Sequence, residues 1–148
     1  MNTPTILLVE DQPEDARLIV DALARVLPRE DIGICSDGIE ALDFFRCRGK
    51  CAGRNPLELP VFVLLDLHLP GVAGLEVLRE IRTDPTTRLL PVTVLSSSER
   101  LDDIREAARL GANSYIHKSA DMRQMADNIA QLARYWLELN IPPPRRAE

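Results

Sequence analysis

No stretch of this sequence approaches the ~20 consecutive apolar residues that a membrane-spanning helix needs. Its first residues, Met1-Asn2-Thr3-Pro4-Thr5, lack the basic start and long apolar segment of a secretory signal. A cytoplasmic location away from any membrane is expected. Basic residues are not in excess either: 18 Lys and Arg stand against 23 Asp and Glu, a formal net charge of −5. Nucleic acid is therefore not an expected partner, because gripping a phosphate backbone takes clustered Lys and Arg. Cysteine is scarce, with only Cys35, Cys47 and Cys51. Three thiols cannot all pair within one chain. With no second cysteine pair and no well-spaced histidine pair, a zinc or redox centre has no ligand set. Reduced thiols are the expected state. Internal repeats and low-complexity segments are absent as well.

What is present is average in amount and ordered in sequence. At 148 residues, 45% hydrophobic and 28% charged, the chain suits one globular domain that buries roughly 70% of its unfolded surface. That domain is expected over residues 1–140, with the proline run Pro142-Pro143-Pro144 and the charged residues after it forming a tail from 141 to 148.

Short apolar runs alternate with helical patterns five times. Thr5-Ile6-Leu7-Leu8-Val9 reads as a strand buried on both faces. Pro13 suits the first turn of a helix, and Ala16, Ile19, Val20, Leu23, Val26 and Leu27 recur at helical spacing until Pro28. Ile32 to Cys35 gives a weaker strand, and Asp37-Gly38 leads into a helix carrying Ile39, Ala41, Leu42 and Phe45. A loop from about Gly49 to Leu59 has no apolar period. Pro60 to Leu65 is the strongest strand, ended abruptly by Asp66; Gly71 and Gly74 bracket a turn before a helix closed by Asp84-Pro85. Val92-Thr93-Val94-Leu95 is another buried strand. A helix from Leu101 to Leu110 ends at Gly111, Ser114-Tyr115-Ile116 is a short strand, and a last helix is predicted from about Asp121 to Glu138. This alternation specifies an α/β fold: a doubly wound parallel sheet with helices on both faces, joined by right-handed crossovers.

In such a sheet, ligands bind beyond the carboxyl ends of the strands. Here those ends are polar. Glu10 and Asp11 follow the first strand, Asp66 the third, Ser96 the fourth, and Lys118 lies just past the fifth. Three carboxylates at adjacent ends repel and raise one another's pKa values. A divalent cation removes that cost, and Mg²⁺ suits a site of carboxylates, a carbonyl and water. An anionic phosphoryl group can then approach an anionic aspartate, with Lys118 and a serine hydroxyl on its oxygens. Each piece has an ordinary reading: Glu-Asp before a helix as a cap, Asp after a strand as a turn residue, Lys after a strand as surface. Together, four suitable residue types at one sheet edge point to a site.

The segments Leu7-Leu8-Val9-Glu10-Asp11, Leu64 to Gly74 (LLDLHLPGVAG), Pro91-Val92-Thr93-Val94-Leu95-Ser96 and Gly111 to Lys118 (GANSYIHK) resemble the receiver family of two-component signalling, in order and at family spacing over residues 5 to 138. The resemblance implies a flavodoxin-like fold of five strands in the order 2-1-3-4-5. It implies Asp66 as phosphoacceptor, with Asp11 and Asp66 as direct ligands of Mg²⁺ or Mn²⁺, Glu10 acting through water and His68 lending its backbone carbonyl. It also implies Ser96 as switch hydroxyl, Tyr115 as switch aromatic and Lys118 as phosphate-binding lysine. Ser97 is an alternative to Ser96 by one register step, and Tyr115 has the ordinary alternative of a packed core tyrosine. His68 can face a kinase or water, or simply lie on the surface. Ser119 stands after Lys118 where most receivers have a proline with a cis bond; without proline that bond costs about 3 kcal/mol, so a different geometry is expected there.

The resemblance implies a histidine kinase as phosphodonor and a response at the surface formed by the last two helices and the strand between them, rather than enzymatic turnover. The chain ends with no second domain in view, so no output domain is expected. The apolar ending Tyr135-Trp136-Leu137-Glu138-Leu139-Asn140-Ile141 suggests a homodimer through the last helix and its extension. That ending, the Lys118-Ser119 pair and the long loop near Gly53 also resemble the small regulators of bacterial phytochrome kinases, which would make a bacteriophytochrome the partner. Two rival classes remain. A hydrolase or phosphotransferase with an aspartyl nucleophile usually has an acid two residues on, where His68 stands. A binding module that never takes phosphate would not need the full set of Glu10, Asp11, Asp66, Ser96 and Lys118.

Overall fold

The computed structural model describes residues 2–144. Five parallel strands alternate with five helices: β1 (Ile6–Val9), α1 (Pro13–Leu23), β2 (Ile32–Cys35), α2 (Gly38–Arg46), β3 (Phe62–Leu65), α3 (Gly74–Thr83), β4 (Val92–Ser96), α4 (Leu101–Arg109), β5 (Ser114–His117) and α5 (Met122–Arg134). The strand order is β2-β1-β3-β4-β5, so the chain winds outward from β1 in both directions, as expected.

The central strands β1, β3 and β4 are buried at every residue, whereas the edge strands β2 and β5 are mostly half-buried. Successive side chains of a strand point to opposite faces, and the core divides accordingly. Leu7, Val9, Val63, Leu65 and Val92 pack with Ala41 and Phe44 of α2 and with Val77, Leu78 and Ile81 of α3. Ile6, Leu8, Phe62 and Leu64 pack on the other face with Ile19 and Leu23 of α1 and Met125, Ile129 and Ala133 of α5. A small third cluster joins Leu67, Val94 and Ala107 under α4.

Two boundaries differ from expectation, and one loop is anchored in a way its sequence did not suggest. The first helix ends at Leu23 rather than Pro28; Arg25 and Val26 instead donate to carbonyls three residues back, in a tightened turn that still sends Val26 and Leu27 into the core. The last helix is regular only to Arg134. Residues Tyr135–Leu139 widen into a π turn closed by the Asn140 amide on the Tyr135 carbonyl at 2.7 Å, with Trp136 stacked on Phe62 at 6.3 Å. The long loop after α2 is pinned from inside by Arg54, which is buried, lies over the Phe44 ring at 3.8 Å and donates to the Phe44 and Glu58 carbonyls. Among the described residues every peptide bond is trans, Lys118–Ser119 included. The tail expected from 141 is described as far as Pro144, and the remainder lies outside the described residues. No helix among them is long and apolar enough to cross a membrane.

Candidate functional site

Parallel pairing continues one residue past three strands, and this is what assembles the rim. The Glu10 amide donates to the Cys35 carbonyl at the end of β2 (3.0 Å), the Asp66 amide to Val9 at the end of β1 (3.0 Å), and the Lys118 amide to Ser96 at the end of β4 (2.8 Å). Each site residue is thus held by its neighbour's backbone before its side chain makes any contact. Two glycines let the loop after β3 close down. A Cβ on Gly74 would lie 2.1 Å from the Asp66 carbonyl oxygen, and one on Gly38 2.1 Å from that of Val72. Only hydrogen fits at either position.

Glu10, Asp11 and Asp66 each offer one carboxylate oxygen, all within 4.8 Å of one another. Glu10 and Asp66 are buried. Asp11 Oδ1 is also shielded from solvent and has no hydrogen-bond partner among the described residues. A buried carboxylate oxygen left unpaired beside two other carboxylates is costly, and a hard divalent cation relieves it. The oxygen-only donor set suits Mg²⁺ or Mn²⁺. Burial pushes the Glu10 carboxyl up to about 7, with the Asp66 charge adding and the Lys118 hydrogen bond opposing.

The Lys118 ammonium reaches into this cluster from the far side. It donates to Glu10 Oε1 at 2.5 Å, Asp15 Oδ2 at 3.0 Å and Asp66 Oδ2 at 3.3 Å. Burial alone would lower its pKa, but the hydrogen bonds to Glu10 and Asp15 and the charge of Asp66 win and hold it above its ordinary value. The lysine therefore stays charged. The other oxygens are also occupied: Glu10 Oε2 accepts from the Gln12 amide (3.2 Å) and Asp66 Oδ1 from the His68 amide (3.3 Å).

Ser96 is fully buried at the end of β4, and its Oγ accepts from the Ser98 amide at 3.1 Å; Ser97 points to solvent. Tyr115 packs against the α4 cluster, and its hydroxyl donates to the Ser98 carbonyl at 2.8 Å. The His68 side chain is exposed. The structure thus gathers Glu10, Asp11, Asp66 and Lys118, and ties Ser96 and Tyr115 to one neighbouring loop. Sequence reasoning missed Asp15, which stands in the first turn of α1 and reads there as an ordinary acid at a helix N-terminus. It also missed His117, whose ring meets the Ser97 carbonyl at 3.2 Å and the Glu99 carboxylate at 3.4 Å.

The family model described as the response regulator receiver domain matches residues 6–130. The chain belongs to that family. Among curated receivers it is 34% identical to the response regulator Rcp1 of Synechocystis over 133 residues, covering 90% of this chain and 88% of Rcp1. Among solved structures, the phosphorylated cyanobacterial phytochrome response regulator RcpA superposes with a TM-score of 0.87 at 38% identity, covering 97% of this receiver and all of RcpA. The Mn²⁺-bound form of Rcp1 gives 0.84 at 30% identity, covering 95% and 100%. The bacteriophytochrome response regulator RtBRR gives 0.74 at 38% identity, covering 97% and 86%. Receivers are signalling switches, and this one is homologous to phytochrome response regulators. A Mn²⁺-bound relative agrees with the cation-binding character of Glu10, Asp11 and Asp66.

Proposed function

We propose that this receiver takes a phosphoryl group onto Asp66 from a bacteriophytochrome histidine kinase in the cytoplasm and converts it into a change of the α4-β5-α5 surface. One observation carries the reading: Asp66 is a buried carboxylate with a charged lysine 3.3 Å from one oxygen and two further acids beside it. Nothing in a plain folding role calls for so much like charge in one place.

In the proposed reaction an Asp66 carboxylate oxygen forms the new O–P bond as the P–N bond to the kinase histidine breaks. The imidazole leaves with the electron pair and takes up a proton. Lys118 neutralises charge on the phosphoryl oxygens. Held by Glu10, Asp11, Asp66 and the His68 backbone carbonyl, Mg²⁺ or Mn²⁺ would supply further charge neutralisation. Ser96 Oγ already accepts from Ser98, which leaves its own proton free to donate to the acyl phosphate. Movement of that hydroxyl draws the β4–α4 loop with it, and Tyr115, bonded to the same loop, follows. No substrate turnover is expected beyond self-catalysed gain and loss of the phosphoryl group.

With Mg²⁺ and acetyl phosphate, the protein should gain one base- and hydroxylamine-labile phosphoryl group by intact mass, and Asp66→Asn should gain none. Label on the Asp66→Asn variant would move the site elsewhere, free turnover of acetyl phosphate would make the protein an enzyme, and no label at all would make it a binding module.

We further infer that residues 1–140 act as the receiver domain with 141–148 as a tail, and that the protein forms a homodimer through α5 and its extension. Tyr135, Leu139 and Ile141 support this: they are exposed, Leu139 and Ile141 by 74% and 90%, immediately beside the packed Trp136. Light scattering should give a dimer mass that falls to the monomer in Leu139→Glu/Ile141→Glu; a monomer in the unsubstituted protein would end the dimer reading.

A further inference from the structure

Asp15 has no part in the reaction above, yet its carboxylate sits 3.0 Å from the Lys118 ammonium. A plain helix-dipole role does not need that contact. Glu14 already supplies an acid to the first turn of α1, whereas Asp15 reaches a lysine on the far side of the sheet edge. Its side chain is 42% exposed, unlike those of Glu10 and Asp66 at 1% and 7%. It also lies outside the trio whose oxygens fall within 4.8 Å of one another.

That asymmetry matters because Lys118 and a divalent cation compete for the same acids. Two of the three partners of the ammonium, Glu10 and Asp66, belong to the cation cluster. A cation entering the cluster repels the ammonium and takes its partners. If those were the only two, the lysine would have to give up its hydrogen bonds in a largely dry place. Asp15 is the third partner, at the solvent side.

We infer that Asp15 is a positioning residue for Lys118: it holds the ammonium while Glu10 and Asp66 turn to a divalent cation, so that cation and lysine occupy the rim together. The inference rests on the phosphoacceptor reading for its purpose, but its test does not. Mn²⁺ binding, followed as loss of the free-ion electron paramagnetic resonance signal, reads the rim without phosphorylation. Asp15→Asn should bind Mn²⁺ about threefold to tenfold more weakly than the unsubstituted protein, and Asp15→Glu should recover most of the affinity. In the Lys118→Met background, which has no ammonium to hold, the same Asp15→Asn change should cost less than about twofold. An equal loss with and without Lys118 would mean that Asp15 acts on the cation only through space, and would overturn the inference. So would an unchanged affinity in Asp15→Asn. Failure of Asp66 to take phosphate, with this non-additivity intact, would overturn the phosphoacceptor reading and leave the positioning role standing.

Discussion

The helices α5 and α4 both lie beside the edge strand β5, yet they are held by different chemistry. α5 buries Met125, Ile129, Ala130 and Ala133, and its extension stacks Trp136 on Phe62. α4 buries only Ala107. Beyond that small apolar contact, its ties run through the preceding loop and are polar. The Tyr115 hydroxyl holds the Ser98 carbonyl, Ser98 Oγ donates to Asp103 at 2.5 Å, and the His117 ring meets Ser97 and Glu99. Apolar burial is non-directional and has no equivalent second arrangement in a close-packed core. A few hydrogen bonds to one loop can be exchanged for others at modest net cost. One side is held by burial, the other by a polar latch. Elements that move are drawn from the least stable part of a fold.

Truncation is the bluntest way to break this contrast. Ile129→Ala, at a fully buried α5 position, should destabilise by about 3 kcal/mol in denaturant unfolding. Ile104→Ala, half-buried on α4, should cost about 1 kcal/mol or less. Equal losses would mean that α4 is as firmly packed as α5.

The polar rim can also be tuned by pH, as the apolar side cannot. Burial raises the Glu10 carboxyl to about 7, so folding favours its neutral form. The stability this contributes is complete below the unfolded-state pKa, roughly 4.3, and is lost as pH rises through about 7. Metal-free protein should therefore lose Tm from pH 5 to pH 8 more steeply than Glu10→Gln. Added Mg²⁺ should raise Tm more at pH 8 than at pH 5, since the cation needs the carboxylate. Parallel Tm profiles for the two proteins would show that Glu10 does not titrate in this window. The deficit from Ile129→Ala should be the same at both pH values.

The smallest effect sharpens the contrast most. Tyr115→Phe keeps the ring in its cluster and removes one hydrogen bond, about 1 kcal/mol. Amide exchange should speed up in residues 97–101 and remain unchanged in α5. Faster exchange across α5 as well would mean that the two helices open as one unit.

Much of this was legible in the chain. Continuous apolar runs at Ile6–Val9 and Phe62–Leu65 announced central strands, because only a strand covered on both faces carries no polar side. Glu10, Asp66, Ser96 and Lys118 were legible as the polar residues that end such runs. Helix ends were less so: Val26 and Leu27 continued the α1 period although the backbone had already turned, since a side chain can enter the core from a turn as well as from a helix. Local pattern likewise gave no sign that Arg54 would be buried over the Phe44 ring.

Sequence alone determined the alternation, hence the parallel sheet, and which residue types would sit at its carboxyl rim. Period and polarity are local properties, read a few residues at a time. Only the tertiary structure decided which of those residues meet. Lys118 meets Glu10, Asp15 and Asp66 across separations of 108, 103 and 52 residues, and that meeting depends on strand order and register, which no local pattern encodes. The same holds for the division of labour between α5 and α4: both are amphipathic, and what each apolar stripe finds opposite it is settled when the layers close.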